Sequence, residues 1–404
     1  MGPPPTDQQP SRPRIPKTVW ALGLVSFFMD VSSETIHALL PVFLTVTLGV
    51  SVTLVGLIDG VAESTAAVTK VFSGYLSDRW GRRKPLILFG YGLGALTKPL
   101  FAVAGGPIVV LGARFADRIG KGMRGAPRDA LMADVTPPEI RGRAFGLRQA
   151  LDTAGAFTGP LLAIALMILF AGDIRAVFWV AVIPAVLAVA CVVLGVEERD
   201  PSSAKSSARP PVRVRDLGEF SRAFWVVVAI GITFTLARFS EAFLILKADA
   251  EGLPLVLAPL VLVVLNIVYA TGAYPAGALS DHVPAGPLLI AGLLALLFAD
   301  LSLALLPGLF GVFLGIALWG MHMALTQGLL AKLVADNAPE HLRGSAFGLF
   351  NLATGLSLLF ASVIAGLAWD MIGPESTFLI GGGFAFVAAM LVGSTQAFRT
   401  RAKV

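Results

Sequence analysis

Runs of about twenty apolar residues, separated by short polar loops, recur along this chain from Thr18 to Ala397, and no other feature limits its possible folds so strongly. A hydrocarbon layer about 30 Å thick takes roughly 20 apolar residues of helix to cross. Inside that layer the backbone polar groups must be satisfied by the spanning structure itself, which leaves only helices and closed barrels. The runs here are continuous rather than alternating, so they read as helices and not as barrel strands. Of 404 residues, 56% are hydrophobic and 14% charged, with mean hydropathy +0.79. A soluble domain carries about 25% charged residues, so this chain lacks the polar surface to remain in water and reads as an integral membrane protein.

Twelve spans are expected, over 18–47, 53–77, 85–104, 107–134, 143–170, 174–196, 222–247, 255–280, 286–306, 309–335, 344–370 and 375–397. Bases gather at one set of span ends: Arg12, Arg14 and Lys17, Arg79 to Lys84, Arg141 and Arg143, Arg199 to Arg222, Arg343, and Arg399 to Lys403. The opposite loops offer only Arg175 and Lys247. The positive-inside rule then places both termini in the cytoplasm, in keeping with an even number of spans. This distribution also explains the net charge of +5 as topology and excludes a nucleic-acid partner. The one cysteine, Cys191, lies in an apolar run, so no disulfide framework or thiolate metal site is expected. Residues 1–17 have no apolar core and do not read as a signal peptide.

The polar stretch 197–221, rich in Ser, Pro and charge, reads as a cytoplasmic linker. It divides the chain into a tail (1–17), a first half (18–196), a second half (222–397) and a closing tail (398–404). The halves are related. Ala133-Asp134 and Pro138-Glu139-Ile140-Arg141-Gly142-Arg143-Ala144-Phe145-Gly146-Leu147 recur as Ala335-Asp336 and Pro339-Glu340-His341-Leu342-Arg343-Gly344-Ser345-Ala346-Phe347-Gly348-Leu349. Gly74-Tyr75-Leu76-Ser77-Asp78 is echoed at nearly the same offset by Gly277-Ala278-Leu279-Ser280-Asp281. The expected fold is therefore an all-α membrane protein of two six-helix pseudo-repeats, the parallel repeat of two-halved transporters.

Between spans 2 and 3, Gly74 to Lys84 reads G-x-L-x-D-R-x-G-R-R-K. This resembles the signature loop of the major facilitator superfamily (MFS), and the likeness extends over nearly the whole chain. In that family the loop latches the two halves on the cytoplasmic side in one conformation, which implies latch roles for Gly74, Asp78, Arg79, Gly81, Arg82 and Arg83. Asp78 can accept hydrogen bonds from Arg or from a helix N-terminus, while the glycines permit a tight turn. The other reading is a basic loop that only sets topology. Arg118-Ile119-Gly120-Lys121-Gly122-Met123-Arg124-Gly125-Ala126 resembles the family's helix 4 motif, with Lys121 in place of Gln. Gly146, Gly155, Gly159 and Pro160 resemble its helix 5 antiporter motif, which implies export; Ala163-Ile164 departs from that motif's terminal Gly pair, and a plain packing face is the alternative.

Several charges fall within spans, where each is costly unless it meets a cavity or a partner. On helix 4, Arg114, Arg118 and Lys121 share a face, near the midplane; ion pairing with Asp117, Glu63 or Asp152 is the structural alternative. On helix 1, Asp30, Glu34 and His37 stack on one face; helix 7 carries Arg238 and Glu241; on helix 10, Trp319 and His322 share a face. In the superfamily helices 1, 4, 7 and 10 line the central cavity. The resemblance thus implies that Asp30, Glu34 and Glu241 are proton or cation carriers, and that His37, Arg114, Arg118, Lys121, Arg238, Trp319 and His322 line the cavity. Asp30, Glu34, His37 and His322 with Met321 and Met323 also form a donor set for a divalent transition metal as cargo, without a spacing signature.

No P-loop, H-E-x-x-H or G-x-S-x-G motif is present, so neither ATP hydrolysis nor another enzyme activity is expected, and no cofactor is implied. The expected protein is a secondary transporter of a bacterial inner membrane working by alternating access, with a small molecule and protons as partners, and monomeric as is usual in the superfamily. Proton-coupled export is the leading reading. Uptake of a metabolite or siderophore-type ligand, nickel-type metal export, and a non-transporting receptor are the alternatives.

Overall fold

Apolar sequence of membrane-spanning length forms helices throughout the computed structural model, which describes residues 15–80, 82–197, 214–326, 329–339 and 342–394. The helices are α1 (Lys17–Thr47), α2 (Val52–Trp80), α3 (Lys84–Val103), α4 (Pro107–Val135), α5 (Arg141–Leu169) and α6 (Ile174–Gly195) in the first half. The second half has α7 (Arg222–Ala250), α8 (Leu260–His282), α9 (Ala285–Leu305), α10 (Gly308–Thr326 and Leu329–Asn337), α11 (Arg343–Met371) and α12 (Pro374–Ser394). Every expected span is matched by a helix whose ends differ from it by a few residues. Most of the linker, residues 198–213, lies outside the described residues, as do the two tails up to Arg14 and from Thr395.

Among the described residues, eleven helices are long and apolar enough to cross a membrane by length and composition alone. The twelfth is α4, 29 residues long, whose apolar character is diluted by Arg114, Asp117, Arg118, Lys121, Arg124, Arg128 and Asp129. It is inserted among α2 and α3, where its charges meet partners instead of lipid.

Two helices are interrupted. In α1 the α-helix stops at His37, turns through Ala38 and Leu39, and resumes as Leu40–Val42 followed by a π-helical turn over Phe43–Thr47. Pro41, which has no N–H to give to an α-helical ladder, lies in the resumed part. In α7 the helix stops at Ala237 and restarts at Ala242. The Ser240 hydroxyl accepts from the Ala242 N–H at 3.1 Å, satisfying a donor that the restart exposes. The two breaks occupy corresponding places in the two repeats.

The packing of the two ends of the bundle differs. At the end away from the termini, one hydrophobic core runs through both halves, from Ile36, Phe43, Ile58 and Phe178 to Phe243, Leu262, Trp319 and Phe378. Towards the termini there are two separate cores. One, around Leu22, Met29 and Tyr91, belongs to the first half; the other, around Phe224, Leu289 and Phe350, belongs to the second.

The halves meet most closely where α2 packs on α11. The glycines of this seam let backbones touch. A Cβ on Gly366 would lie 2.6 Å from Thr53 Cα, one on Gly60 3.0 Å from Leu359 Cα, and one on Gly56 would collide with the Ser362 carbonyl oxygen. At the outer tip Asp370, near the end of α11, accepts hydrogen bonds from the Val52 and Thr53 N–H groups at 3.2 and 2.8 Å. A carboxylate of one half thus caps the N-terminus of a helix in the other.

Candidate functional site

A cavity of about 640 Å³ lies between the halves, lined by α1, α2 and α4 on one side and α7, α10 and α11 on the other. Its wall runs from Glu34, Phe239 and Glu241 in mid-bundle to Lys70, Leu330 and Phe347 on the termini side. Beyond Glu241 the joined outer core closes it. Glu34, His37, Glu63, Lys70, Arg118 and Lys121 from the first half face Arg238 and Glu241 from the second. Aromatic surface comes from Phe234, Phe239, Phe347 and Phe350. A cavity of this size, part apolar and ringed with a few ionisable groups, suits a small organic molecule.

The expected cavity residues divide. Glu34, His37, Arg118, Lys121, Arg238 and Glu241 line it. Arg114, Trp319 and His322 do not. Arg114 is buried behind the wall, where its guanidinium donates to Asp59 Oδ1 at 2.6 Å and lies 3.3 Å from His37 Nδ1. Trp319 and His322 share a face as expected, but that face is turned away from the cavity into buried packing. His322 Nδ1 lies 2.8 Å from the Gly292 carbonyl oxygen and its ring stacks 5.0 Å from Phe234. Trp319 is fully buried beside Phe239, ring centroids 5.3 Å apart. Helix 10 contributes Thr326 and Leu330 to the wall instead.

The charges of α4 are mostly paired. Arg118 meets Glu63 at 3.1 Å, and Asp117 meets Lys98 of α3 at 2.9 Å. Lys98 also donates to the Ser33 hydroxyl at 3.0 Å. Arg124 lies over the Tyr91 ring, 4.5 Å from its centroid, and Arg128 donates to Ser26 at 2.9 Å and to Tyr91 at 3.3 Å. Sequence reasoning missed Asp59 and Lys98, which hold this network together. A membrane-embedded Asp or Lys is costly alone, and that alone could have marked both for inspection. Asp59 does more. Its second oxygen accepts from the Ser240 hydroxyl at 2.7 Å, so His37, Arg114, Asp59 and Ser240 form one chain that crosses between the halves at the α7 break. Arg238 and Glu241, flanking that break, stand 3.8 Å apart.

The glycines of α5 lie where they can shape the acidic face of α1. A Cβ on Gly155 would sit 2.6 Å from the Phe27 carbonyl oxygen and 3.0 Å from Asp30 Cβ; one on Gly159 would sit 2.7 Å from Glu34 Cβ. The Thr35 hydroxyl, on the same turn, donates to the Gly159 carbonyl at 3.1 Å. Pro160 continues the buried face, whereas a Cβ on Gly146 would meet open space. Asp30 is not part of the cavity wall. It is half-buried on α1, while Asp152 of α5 lies 3.5 Å from Arg148.

The stretch expected as a loop is helical as far as Trp80, because α2 continues through Gly74 and Arg79; Gly74 faces Ala126 of α4, with a Cβ there coming to 3.5 Å. Arg79 donates to the Tyr75 hydroxyl at 3.0 Å, Arg83 pairs with Asp134 at 3.1 Å, and Arg82 is exposed. These bonds stay within the first half. Gly81 and the side chain of Asp78 lie outside the described residues, as do the side chains of the echo at Asp281 and His282. Among the described residues no cluster of three or more His, Cys, Asp or Glu has metal-binding geometry.

The model of the Major Facilitator Superfamily matches residues 22–362 and 260–398. An uncharacterized MFS-type transporter of Methanocaldococcus jannaschii is 32% identical over 382 residues, covering 93% of this chain and 94% of that protein. The multidrug resistance protein MdtH of Yersinia enterocolitica is 34% identical over 115 residues, 28% of each chain. Among solved structures, the nucleoside transporter NupG superposes with a TM-score of 0.78 at 15% identity, over 93% of this chain and 99% of that one. A bacterial homologue of the human lysosomal transporter Spinster, inward-facing and unoccupied, superposes with a TM-score of 0.73 at 17% identity, over 96% and 98%.

Proposed function

The chain belongs to the Major Facilitator Superfamily, and from that premise we propose that this multi-pass membrane transporter exports a small molecule in exchange for protons. The cavity carries the reading. It lies between two repeats, at two helices interrupted in matching places, which is where secondary transporters bind cargo. The two-core packing on the termini side and the joined core on the other fit a state loaded from the side of the termini. The basic loops support a cytoplasmic assignment for that side, and hence an inner membrane in a bacterial cell.

In this reading cargo enters between Lys70, Lys121, Arg118 and Arg238, with the phenylalanines packing its apolar part. Rocking of the halves breaks the Asp59–Ser240 bond and the Asp370 cap, opens the outer core and joins the inner ones. Glu34 and Glu241, on opposite walls, then face the outer aqueous phase and take protons that return inward. Two observations favour export over uptake: the α5 glycines pack on the residues that carry Asp30 and Glu34, and the partial likeness is to a multidrug resistance protein. Metal cargo gains no support, since His37 is turned to a guanidinium and His322 to a carbonyl.

A thermal-shift screen of the purified protein against antibiotics, organic acids, siderophores and metals identifies a ligand, because a compound that binds the folded state raises its apparent stability. That ligand is then followed in proteoliposomes with the termini side outward. An acidic lumen should drive its accumulation, and Glu34→Gln with Glu241→Gln should abolish the drive while leaving ligand exchange at equal pH. Accumulation driven by an acidic exterior would sink the export reading.

A further inference from the structure

Two lysines stand in the cavity with no carboxylate to meet. Lys121 is the central residue of α4, and Lys70 lies about three turns from the end of α2. A base that only sets topology belongs near a span end, and one this deep is costly unless a partner or a cavity receives it. Both lysines line the cavity and are exposed there. Among the described residues neither forms an ion pair. The two start from neighbouring points of one wall. A Cβ on Gly122 would sit 2.6 Å from Thr69 Cβ and 3.0 Å from the Lys70 nitrogen. The Ser73 hydroxyl pins this crossing of α2 and α4 by donating to the Gly122 carbonyl at 2.8 Å. We propose that Lys70 and Lys121 form an anion clamp and that the cargo is an amphipathic organic anion. Its carboxylate, sulfonate or phosphate sits between the lysines, and its apolar body packs on the phenylalanines of α11.

The charges of the whole wall favour this cargo. Arg118 is taken by Glu63 and Arg238 by Glu241, while Arg114 is held behind the wall by Asp59. That leaves the two lysines against Glu34 alone. Whether Glu34 carries a proton or not, the wall keeps a net positive charge. Like charges held together in a cleft with apolar walls repel one another and concentrate ions of the opposite sign. An organic cation is disfavoured by the same excess. The chemistry of the clamp is permissive, because an ammonium group on a flexible stem binds as a point charge and does not demand the planar geometry that a guanidinium does. One ionised group between two ammonium groups gains charge-assisted hydrogen bonds from both. The facing wall supplies the other half of the selection. From α10 and α11 it presents Leu330, Phe347, Phe350 and Leu358, and no charged residue among those described. A small inorganic anion would leave that surface unused. Lys70 escapes the faces that group the charges of helices 1, 4 and 7, since it lies on α2, whose partner at this point is Gly122.

The inference rests on the reading of this cavity as the cargo site, and it is tested at equilibrium, without a gradient. The purified full-length protein is held in phosphatidylcholine nanodiscs, where no lipid carries net negative charge. It is titrated calorimetrically with phenyl, naphthyl and octyl probes, each as carboxylate, phosphate, alcohol and ammonium. At least one body should bind as an anion about tenfold more tightly than as its alcohol, and not as its ammonium. Lys70→Gln and Lys121→Gln should each weaken the anion about tenfold and leave the alcohol unchanged. Lys121→Arg should keep most of the anion affinity. Lys17→Gln, exposed at the start of α1 and outside the cavity wall, should change nothing. The melting temperature of each variant without probe checks that it is folded. The proposal is overturned if no anion binds better than its alcohol, if anion binding survives both Gln variants, or if the ammonium probes bind as tightly. If the anion binds through both lysines but no pH gradient drives its transport, the clamp stands and the coupled-export reading falls. If a pH gradient drives an organic cation instead, the export reading stands and the clamp falls.

Discussion

The two ends of this bundle are made from the same repeat, yet they are packed in different ways. Away from the termini, both halves contribute to one core and are tied by polar bonds that cross between them, Asp370 to the α2 N-terminus and Ser240 to Asp59. Towards the termini each half keeps its own core, and the Arg79–Tyr75 bond at the end of α2 and the Arg83–Asp134 pair after it join residues of the first half. The difference teaches where the molecule must change to expose its cavity to the other side. Cores that are close-packed resist partial separation, so the outer seal should open as a unit while the glycine-lined α2–α11 seam serves as the pivot.

The largest effect on this contrast should come from Gly366. Its missing side chain lets Thr53 Cα approach, so Gly366→Phe has to push α11 away from α2. Overpacking of this kind costs about 3 kcal/mol, which corresponds to roughly a hundredfold shift towards an open outer side. Ile58, fully buried in the outer seal, reports it. In a Cys191→Ala background, Ile58→Cys should react slowly with a membrane-impermeant maleimide, and much faster once Gly366→Phe is added. Unchanged labelling would mean that the seam is no pivot. Next is Ser240→Ala, which removes the hydroxyl that donates to Asp59 at 2.7 Å and supports the Ala242 N–H. A bond to a charged group is worth about 1.5 kcal/mol, so labelling should rise about tenfold.

How much of this was legible beforehand differs by level. Span count, the duplication and the basic ends follow from local composition, and the helices fall where they were expected. Even α4, which fails an apolarity criterion, was recoverable from its length and its place in the repeat. The breaks were harder. Arg238-Phe239-Ser240-Glu241 contains neither Gly nor Pro, and only Ser240, placed to accept from Ala242, hints at a restart. The site was half legible. Faces along a helix are fixed by its period, so Glu34 with His37, and Trp319 with His322, were grouped correctly. The rotation of each helix about its axis is set by tertiary packing, and it turned the second pair into the core. Asp59 escaped notice because its meaning lies in partners on other helices, Arg114 and Ser240.

A smaller shift is expected from Asp370→Ala. The α2 N-terminus would lose an acceptor worth about 1 kcal/mol, and outer labelling at Ile58→Cys should rise about fivefold. Asp370→Asn, which keeps an oxygen but not the charge, should fall between the variant and the parent. If both variants label like the parent, the cap does not help to hold the seal.

The smallest effect isolates what belongs to one half from what joins the two. Glu251, in the outer loop after α7, accepts from Lys247 at 2.7 Å and from the Gly308 N–H at 2.7 Å. The Lys247 bond first, then the Gly308 N–H, hold its carboxyl below the usual range for glutamate. A carboxylate depressed in the folded state stabilises at pH above its unfolded value, about 4.3, and that contribution is lost as pH falls through the folded value. The melting temperature of the parent protein should therefore drop on acidification below about pH 4.3 more steeply than that of Glu251→Gln. Lys247, Glu251 and Gly308, like the second partner of Lys247, Glu375 at 3.2 Å, all belong to the second half. Glu251→Gln should consequently leave Ile58→Cys labelling unchanged at neutral pH. A change there would mean that the outer loop of one half takes part in the seal, and that the boundary between intra-half and inter-half bonds has been drawn one helix too far inward.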